Sequence, residues 1–192
     1  MIDSDVKKIF CIQGLSGTGK DTITKEASRV LNIPILVSHT TRPMRDNEVN
    51  GETYHFVWNK FFEHEMDNFL EIREYNVYNG DVWKYGLHKY ELINKPYSFF
   101  IVDREGYEEL EEKYRDKLVS IFIHSDKETL IKRLSKRGDD PREITRRLED
   151  DLKRFEGYYT DYIVFNDKEN DIKSAINDLV KIIKIEMSDI NE

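Results

Sequence analysis

The sequence predicts an α/β protein in which a parallel sheet is flanked by helices. Three observations carry this. Short apolar runs rich in Val, Ile, Phe and Tyr alternate along the chain with longer stretches of helical period. The runs are mostly apolar on both faces, as strands buried inside a parallel sheet are. No Gly/Ser linker, low-complexity tract or internal repeat interrupts the 192 residues, a length that supports one sizeable core.

The first strand is expected at residues 9–12 (IFCI). It runs into the turn GLSGTGK at 14–20, after which Ile23, Ala27, Val30 and Leu31 recur at helical spacing. A second strand is expected at 35–38 (ILVS). From Glu48 to Leu92 the composition changes: aromatic and polar residues dominate, residues 60–68 read as a helix, and Asn79-Gly80 reads as a hairpin turn. This is a small α+β insertion. Because it follows the second strand, it should overhang the carboxyl edge of the sheet, where open α/β sheets bind their ligands.

Three more strands are expected at 99–103 (FFIVD), 118–123 (LVSIFI) and 162–165 (YIVF). Leu130, Ile131 and Leu134 mark a helix opened by a Ser125/Glu128 capping box. Asp140 as cap, Pro141 in the first turn and Glu143 in the box position open the next. Ile172, Ile176, Leu179 and Ile183 form the apolar stripe of the last helix. Strand–helix alternation of this kind places helices on both faces of the sheet.

Bulk charge excludes some functions. The net charge is −8, whereas a general nucleic-acid binder carries a basic footprint. The single cysteine, Cys11, lies in an apolar run and reads as a small buried hydrophobe, so no disulfide can form within the chain. The start MIDSDVKK has no apolar signal region, and the longest apolar runs are far too short to span a bilayer. A soluble, cytoplasmic setting is expected, with no membrane and no nucleic acid as partner. The histidines, His39, His55, His64, His88 and His124, show no metal-ligand spacing and are read as structural.

The chemistry begins in the first turn. Gly14, Leu15, Ser16, Gly17, Thr18, Gly19 and Lys20 match G-x-x-x-x-G-K, a phosphate-binding loop between a strand and a helix. Its glycines permit close approach of backbone N–H groups to phosphate oxygens. The positive end of the following helix adds to the site, and Lys20 reaches the β- and γ-phosphates. The hydroxyl residue that usually follows the lysine and ligates Mg²⁺ is replaced by Asp21, with Thr22 next. A carboxylate is a natural hard-oxygen ligand, so Asp21 is read as a substituted Mg²⁺ contact.

Two further clusters suit anions. In SHTTRPMR, Ser38, Arg42 and Arg45 follow the second strand, and Pro43 stiffens the loop between two guanidiniums. In KRLSKRGDDPREITRRL, seven basic side chains from Lys132 to Arg147 crowd a segment of an otherwise acidic chain. Arg142 and Arg146 share a helix face. Gly138 between the two helices reads as the hinge of a lid that swings arginines onto phosphates.

These motifs, in this order, resemble guanylate kinase over nearly the whole chain. The matching segments are GLSGTGK, VSHTTRPMRDNEVNGETYHFV (37–57), FLE (69–71), YG (85–86), IVDREG (101–106), LSKRGDDPREITRRL (134–148) and YIVFND (162–167). The resemblance implies a P-loop NTPase-like fold and a single kinase domain. Its core would be residues 1–37 and 93–192, its nucleotide-monophosphate-binding insertion about 38–92, and its helical lid about 136–148. It implies transfer of ATP's γ-phosphate to GMP or dGMP with Mg²⁺. Ser38, Arg42, Arg45, Tyr54 and Tyr85 would hold the acceptor's phosphate. Glu71 would accept hydrogen bonds from guanine's N1–H and 2-amino group. Asp103 would sit by the guanine or by metal-bound water, and Arg137 and Arg147 would be the lid's contribution to the transferring phosphoryl.

The chain departs from the family's pattern in three places. Asp21 stands where the loop has its hydroxyl. Leu87 follows YG, where the family has a Ser or Thr that donates to guanine O6. The segment between Glu71 and Tyr85 is longer, as for an extended hairpin. These departures keep other readings open. One is a related phosphotransferase with a different acceptor, such as a ribose 1,5-bisphosphate phosphokinase or a deoxynucleotide kinase. Another is a non-catalytic guanylate-kinase-like binding module, against which Lys20 and the loop's three glycines argue.

Overall fold

Four of the five expected strands become neighbours in one parallel sheet. The computed structural model describes residues 2, 5–46, 48–76, 80–138, 140–167 and 172–188; the side chains of 143, 147, 151 and 154 lie outside that description. In chain order the elements are β1 (Lys8–Gln13), α1 (Lys20–Leu31), β2 (His39–Thr40), β3 (His55–Phe56), α2 (Asn59–Glu65), β4 (Phe69–Asn76), β5 (Val82–His88), β6 (Tyr97–Ile101), α3 (Arg104–Tyr114), β7 (Leu118–His124), α4 (Lys127–Lys136), α5 (Pro141–Phe155), β8 (Tyr162–Phe165) and α6 (Ile172–Ser188).

The main sheet has the order β6-β1-β7-β8, and every neighbouring pair is parallel. Its central strand β1 is apolar on both faces because both are covered. Phe10 and Ile12 pack with Ile23 and Ala27 of α1 and with Leu179 and Ile183 of α6. Ile9 and Cys11 face the other way, toward Tyr107 and Leu110 of α3. Burial pushes the Cys11 thiol far above its ordinary range, so it acts as a packed apolar group.

The run 35–38 does not form the expected strand. Ile35 makes a single bridge to Phe99, with Leu36 N–H donating to Phe99 O at 2.7 Å. The N–H of Val37 then donates to the Glu91 carboxylate at 3.1 Å, and the backbone leaves the main sheet. It enters a second sheet of order β3-β2-β5-β4, which is the expected insertion. There β4 and β5 form an antiparallel hairpin paired from Phe69↔His88 to Asn76↔Val82. Tyr78 and Asn79 of the expected Asn-Gly turn lie outside the described residues. The helix expected at 60–68 is α2 followed by one 3₁₀ turn, Met66–Asn68.

Two local expectations are also corrected. The strand expected to end at Asp103 stops at Ile101, because Asp103 caps α3 by accepting from Gly106 N–H at 3.0 Å. The helix α4 is capped by Asp126, not Ser125. The Asp126 carboxylate accepts from the N–H and the hydroxyl of Thr129, both at 2.8 Å, while the Ser125 hydroxyl donates to Asn166 O at 2.7 Å. No helix among the described residues is long and apolar enough to cross a membrane.

The second sheet carries its own packed centre. The His39 ring is 1% exposed and lies 4.6 Å from His55, 5.3 Å from Phe61 and 5.7 Å from His88. Its Nε2 is bonded to the Tyr90 hydroxyl. Burial lowers the His39 pKa from 6.5 to about 4, with His55 and His88 adding to the shift and Glu91 opposing it. The folded state therefore resists a proton that the unfolded chain accepts. The His39 contribution to stability is complete above about pH 6.5 and falls as the pH drops toward about 4. Urea unfolding of His39→Gln at about pH 7 and about pH 4.5 should lose about 2–3 kcal/mol less on acidification than the parent chain. Equal losses would mean that His39 does not titrate in this way.

Candidate active site

The phosphate loop is built by the exit of β1 into α1. Gly14 has φ 151°, and a Cβ there would lie 2.6 Å from the Ile123 carbonyl oxygen. Gly19 has φ 85°, and a Cβ there would lie 2.9 Å from Asn166 Nδ2. Both positions therefore require glycine. Inside the loop, the Thr18 hydroxyl donates to Leu15 O at 3.0 Å. From behind, Asn166 Nδ2 donates to Thr18 O at 2.8 Å, and Arg133 Nη1 lies 3.5 Å from both Gly17 O and Thr18 O. Leu15 is buried among Leu130, Leu134, Ile144 and Leu148. Lys20 Nζ folds over the loop, 3.5 Å from Leu15 O.

The loop faces a cleft of about 470 Å³ whose far wall is the second sheet. Gly14, Ser16 and Lys20 line it from the loop, Ser38, Tyr54 and Tyr85 from the insertion, and Asp103 from the cap of α3. The structure thus gathers seven of the residues singled out in the sequence around one space. Asp21 and Thr22 are exposed in the first turn of α1. Burial raises the Tyr54 pKa, with Tyr85 adding and Arg42 and Arg73 opposing.

The remaining residues stand elsewhere. Arg42 is buried behind the wall: it makes a two-pronged ion pair to Glu48 (2.6 and 3.0 Å), and its Nε donates to the Tyr85 hydroxyl at 3.2 Å. Burial opposes the Arg42 charge, and Glu48 and Tyr85 more than offset that. Arg45 is exposed, with its N–H donating to Glu48 at 2.8 Å. Arg137 is exposed at the end of α4, and Arg147 belongs to α5, its side chain outside the described residues. Gly138 between these helices has φ 88°. The helix of the expected lid runs on past 148 to Phe155, which lines the cleft.

Glu71 does not line the cleft. It is 1% exposed, and both its oxygens accept from Arg73, at 2.8 and 3.0 Å. Burial drives its pKa up and Arg73 pulls it down. Arg73 itself lines the cleft, and its Nη1 lies 3.0 Å from Asp103. Burial opposes the Arg73 charge, but Glu71 and Asp103 prevail and keep it protonated. The Tyr75 hydroxyl is also bonded to Asp103. Burial likewise opposes the Asp103 charge, yet Arg73 and Tyr75 hold its carboxyl below the usual range.

Arg73, Tyr75 and Trp83 all line the cleft and were missed in the sequence. The signal was there in strand alternation: Glu71, Arg73 and Tyr75 are two apart, as are Trp83, Tyr85 and Leu87. Glu48, Asn166 and Arg133 as supports had no comparable signal. Among the described residues no group of three or more His, Cys, Asp and Glu could hold a metal ion.

The family model described as guanylate kinase matches residues 6–186. A guanylate kinase of Buchnera aphidicola subsp. Acyrthosiphon pisum is 32% identical over 188 residues, covering 93% of this chain and 87% of its own. One of Agrobacterium fabrum is 32% identical over 189 residues, covering 93% and 82%. The crystal structure of guanylate kinase from Anaplasma phagocytophilum superposes with a TM-score of 0.67 at 23% identity, covering 95% of this chain and 87% of that one. It shares the parallel sheet flanked by helices.

Proposed function

The chain belongs to the guanylate kinase family, and from that premise we propose that it transfers the γ-phosphoryl group of ATP to GMP or dGMP. The observation that carries this reading is the single cleft with a phosphate loop on one side and a hydroxyl-rich wall on the other. A donor triphosphate held by residues 14–22 and an acceptor monophosphate held by Ser38, Tyr54 and Tyr85 would meet in it. Arg42 and Arg45, both tethered through Glu48, would complete the acceptor's phosphate site.

An oxygen of the acceptor phosphate attacks the γ-phosphorus, the bond to the β-phosphate oxygen breaks, and ADP leaves. No enzyme-bound intermediate is needed, so catalysis consists of positioning and charge neutralisation. Lys20 neutralises charge on the transferring group. Arg137 and Arg147 would add theirs as the lid turns about Gly138 and excludes water. Mg²⁺ suits this donor set, because it is held by one or two carboxylates together with substrate phosphates rather than by an all-protein cage. Asp21, with Thr22 beside it, would hold the ion, which would neutralise phosphate charge.

A second reading, a phosphotransferase with another acceptor, draws support from Arg73 covering Glu71. Release of ADP, measured with GMP, dGMP, AMP, CMP, UMP, TMP and ribose 1,5-bisphosphate in turn, decides between them. Turnover should be fastest with a guanine nucleotide; none with any guanine nucleotide would overturn the first reading. Lys20→Ala should lower the rate by roughly a hundredfold or more with the fold intact, since it removes charge stabilisation of the transition state. An unchanged rate would point to a binding module.

Asp21→Ala should raise the Mg²⁺ concentration needed for half-maximal rate, and Asp21→Ser should restore it. If the Mg²⁺ dependence of Asp21→Ala matches that of the parent chain, Asp21 is only a helix-start residue.

A further inference from the structure

The floor of the cleft is one face of the β4–β5 hairpin. Its register sets Glu71 opposite Leu87, Arg73 opposite Tyr85 and Tyr75 opposite Trp83. The deepest pair cannot meet a ligand directly: Glu71 is 1% exposed and Leu87 is fully buried. Both Glu71 oxygens are engaged by Arg73, and a leucine has no side-chain donor to offer. Arg73 is the charged group that the hairpin presents to the cleft at this level.

A guanidinium has five N–H donors in a fixed plane. Arg73 directs two to Glu71, at 2.8 and 3.0 Å, and a third faces Asp103 at 3.0 Å. Two remain. The plane is held by more than these partners, because a Cβ at Gly106 would lie 2.8 Å from Arg73 Cδ and Nε. The absent side chain of Gly106 is the space that the arginine occupies.

We propose that Arg73 reads the acceptor base, donating its two remaining N–H groups to O6 and N7 of guanine. This rests on the guanine-nucleotide reading above. Guanine presents these two acceptors side by side, matching the arginine fork, and this pairing is the commonest specific arginine–guanine contact elsewhere. Adenine carries an amino group in place of O6 and would set donor against donor. Guanine preference would thus arise with Glu71 covered and with no hydroxyl at Leu87. Glu71 and Asp103 become positioning residues that orient the fork.

The test is steady-state kinetics of the full chain with GMP, 7-deaza-GMP, which has a CH in place of N7, and IMP, which keeps O6 and N7 but lacks the 2-amino group. 7-Deaza-GMP should lose about tenfold or more in kcat/KM, chiefly through KM, while IMP stays within about threefold of GMP. In Arg73→Lys, which keeps a charge beside Glu71 but loses the fork, the penalty for 7-deaza-GMP should shrink to less than about threefold. Equal use of GMP and 7-deaza-GMP by the parent chain would overturn the proposal, and that comparison needs no variant to fold. A collapse with IMP alone would overturn it too, showing that the 2-amino edge is read. GMP neither bound nor phosphorylated would overturn the guanine reading itself, a result distinct from phosphorylated GMP with no N7 dependence.

Discussion

Everything in this molecule depends on holding a short stretch of backbone in a shape that backbone does not choose by itself. A glycine-rich loop of this shape does not close its polar groups on its own turns as a helix does. Here the strain is contained by contacts from three directions. Ile123 leaves room only for glycine at 14, Asn166 takes the carbonyl of Thr18, and Arg133 stands behind Gly17. These supports come from β7, from α4 and from the residue after β8. The order β6-β1-β7-β8 brings them together, because the carboxyl ends of parallel strands open on one side.

The opposite wall works by a different principle. It keeps charges in place by burying them in pairs. Arg42 with Glu48, and Arg73 with Glu71, are taken out of water, and Asp103 holds Arg73 from the half-exposed side of the cleft, so each guanidinium is fixed by carboxylates rather than by solvent. Such pairs are poor sources of stability, because desolvation consumes most of the attraction. What they provide is direction. An arginine clamped on two sides presents its remaining donors along one line, a use of buried charge suited to recognition.

Much of this was legible in the sequence, for reasons that differ by residue. The phosphate loop was legible because its parts are contiguous: strand, glycines, Lys20 and helix follow within a few turns. The parallel sheet was legible from four doubly apolar runs. The run 35–38 misled because its composition suits a strand, while its hydrogen bonds go to Phe99 and to the distant Glu91. Ser125 and Asp126 are both good caps, and what separates them is that the Ser125 hydroxyl is already taken, donating to Asn166 O and accepting from Arg133. The role of Asn166 was illegible, since it meets Thr18 across 148 positions. Arg73 was half legible: alternation puts it beside Glu71, but its covering of the carboxylate depends on side-chain geometry that no spacing encodes.

Leu15 has a consequence of another kind. It belongs to the phosphate loop, yet its side chain lies in one apolar cluster with Leu134 of α4 and with Ile144 and Leu148 of α5. The glycine loop and the arginine-bearing helices therefore share a single small core. They are not interchangeable parts. A chimera that borrowed residues 127–155 from a relative would have to borrow the side chain at 15 as well, and drift at that position should follow drift at 144 and 148. A boundary drawn around these helices by inheritance rather than by motion would pass through the middle of the glycine loop.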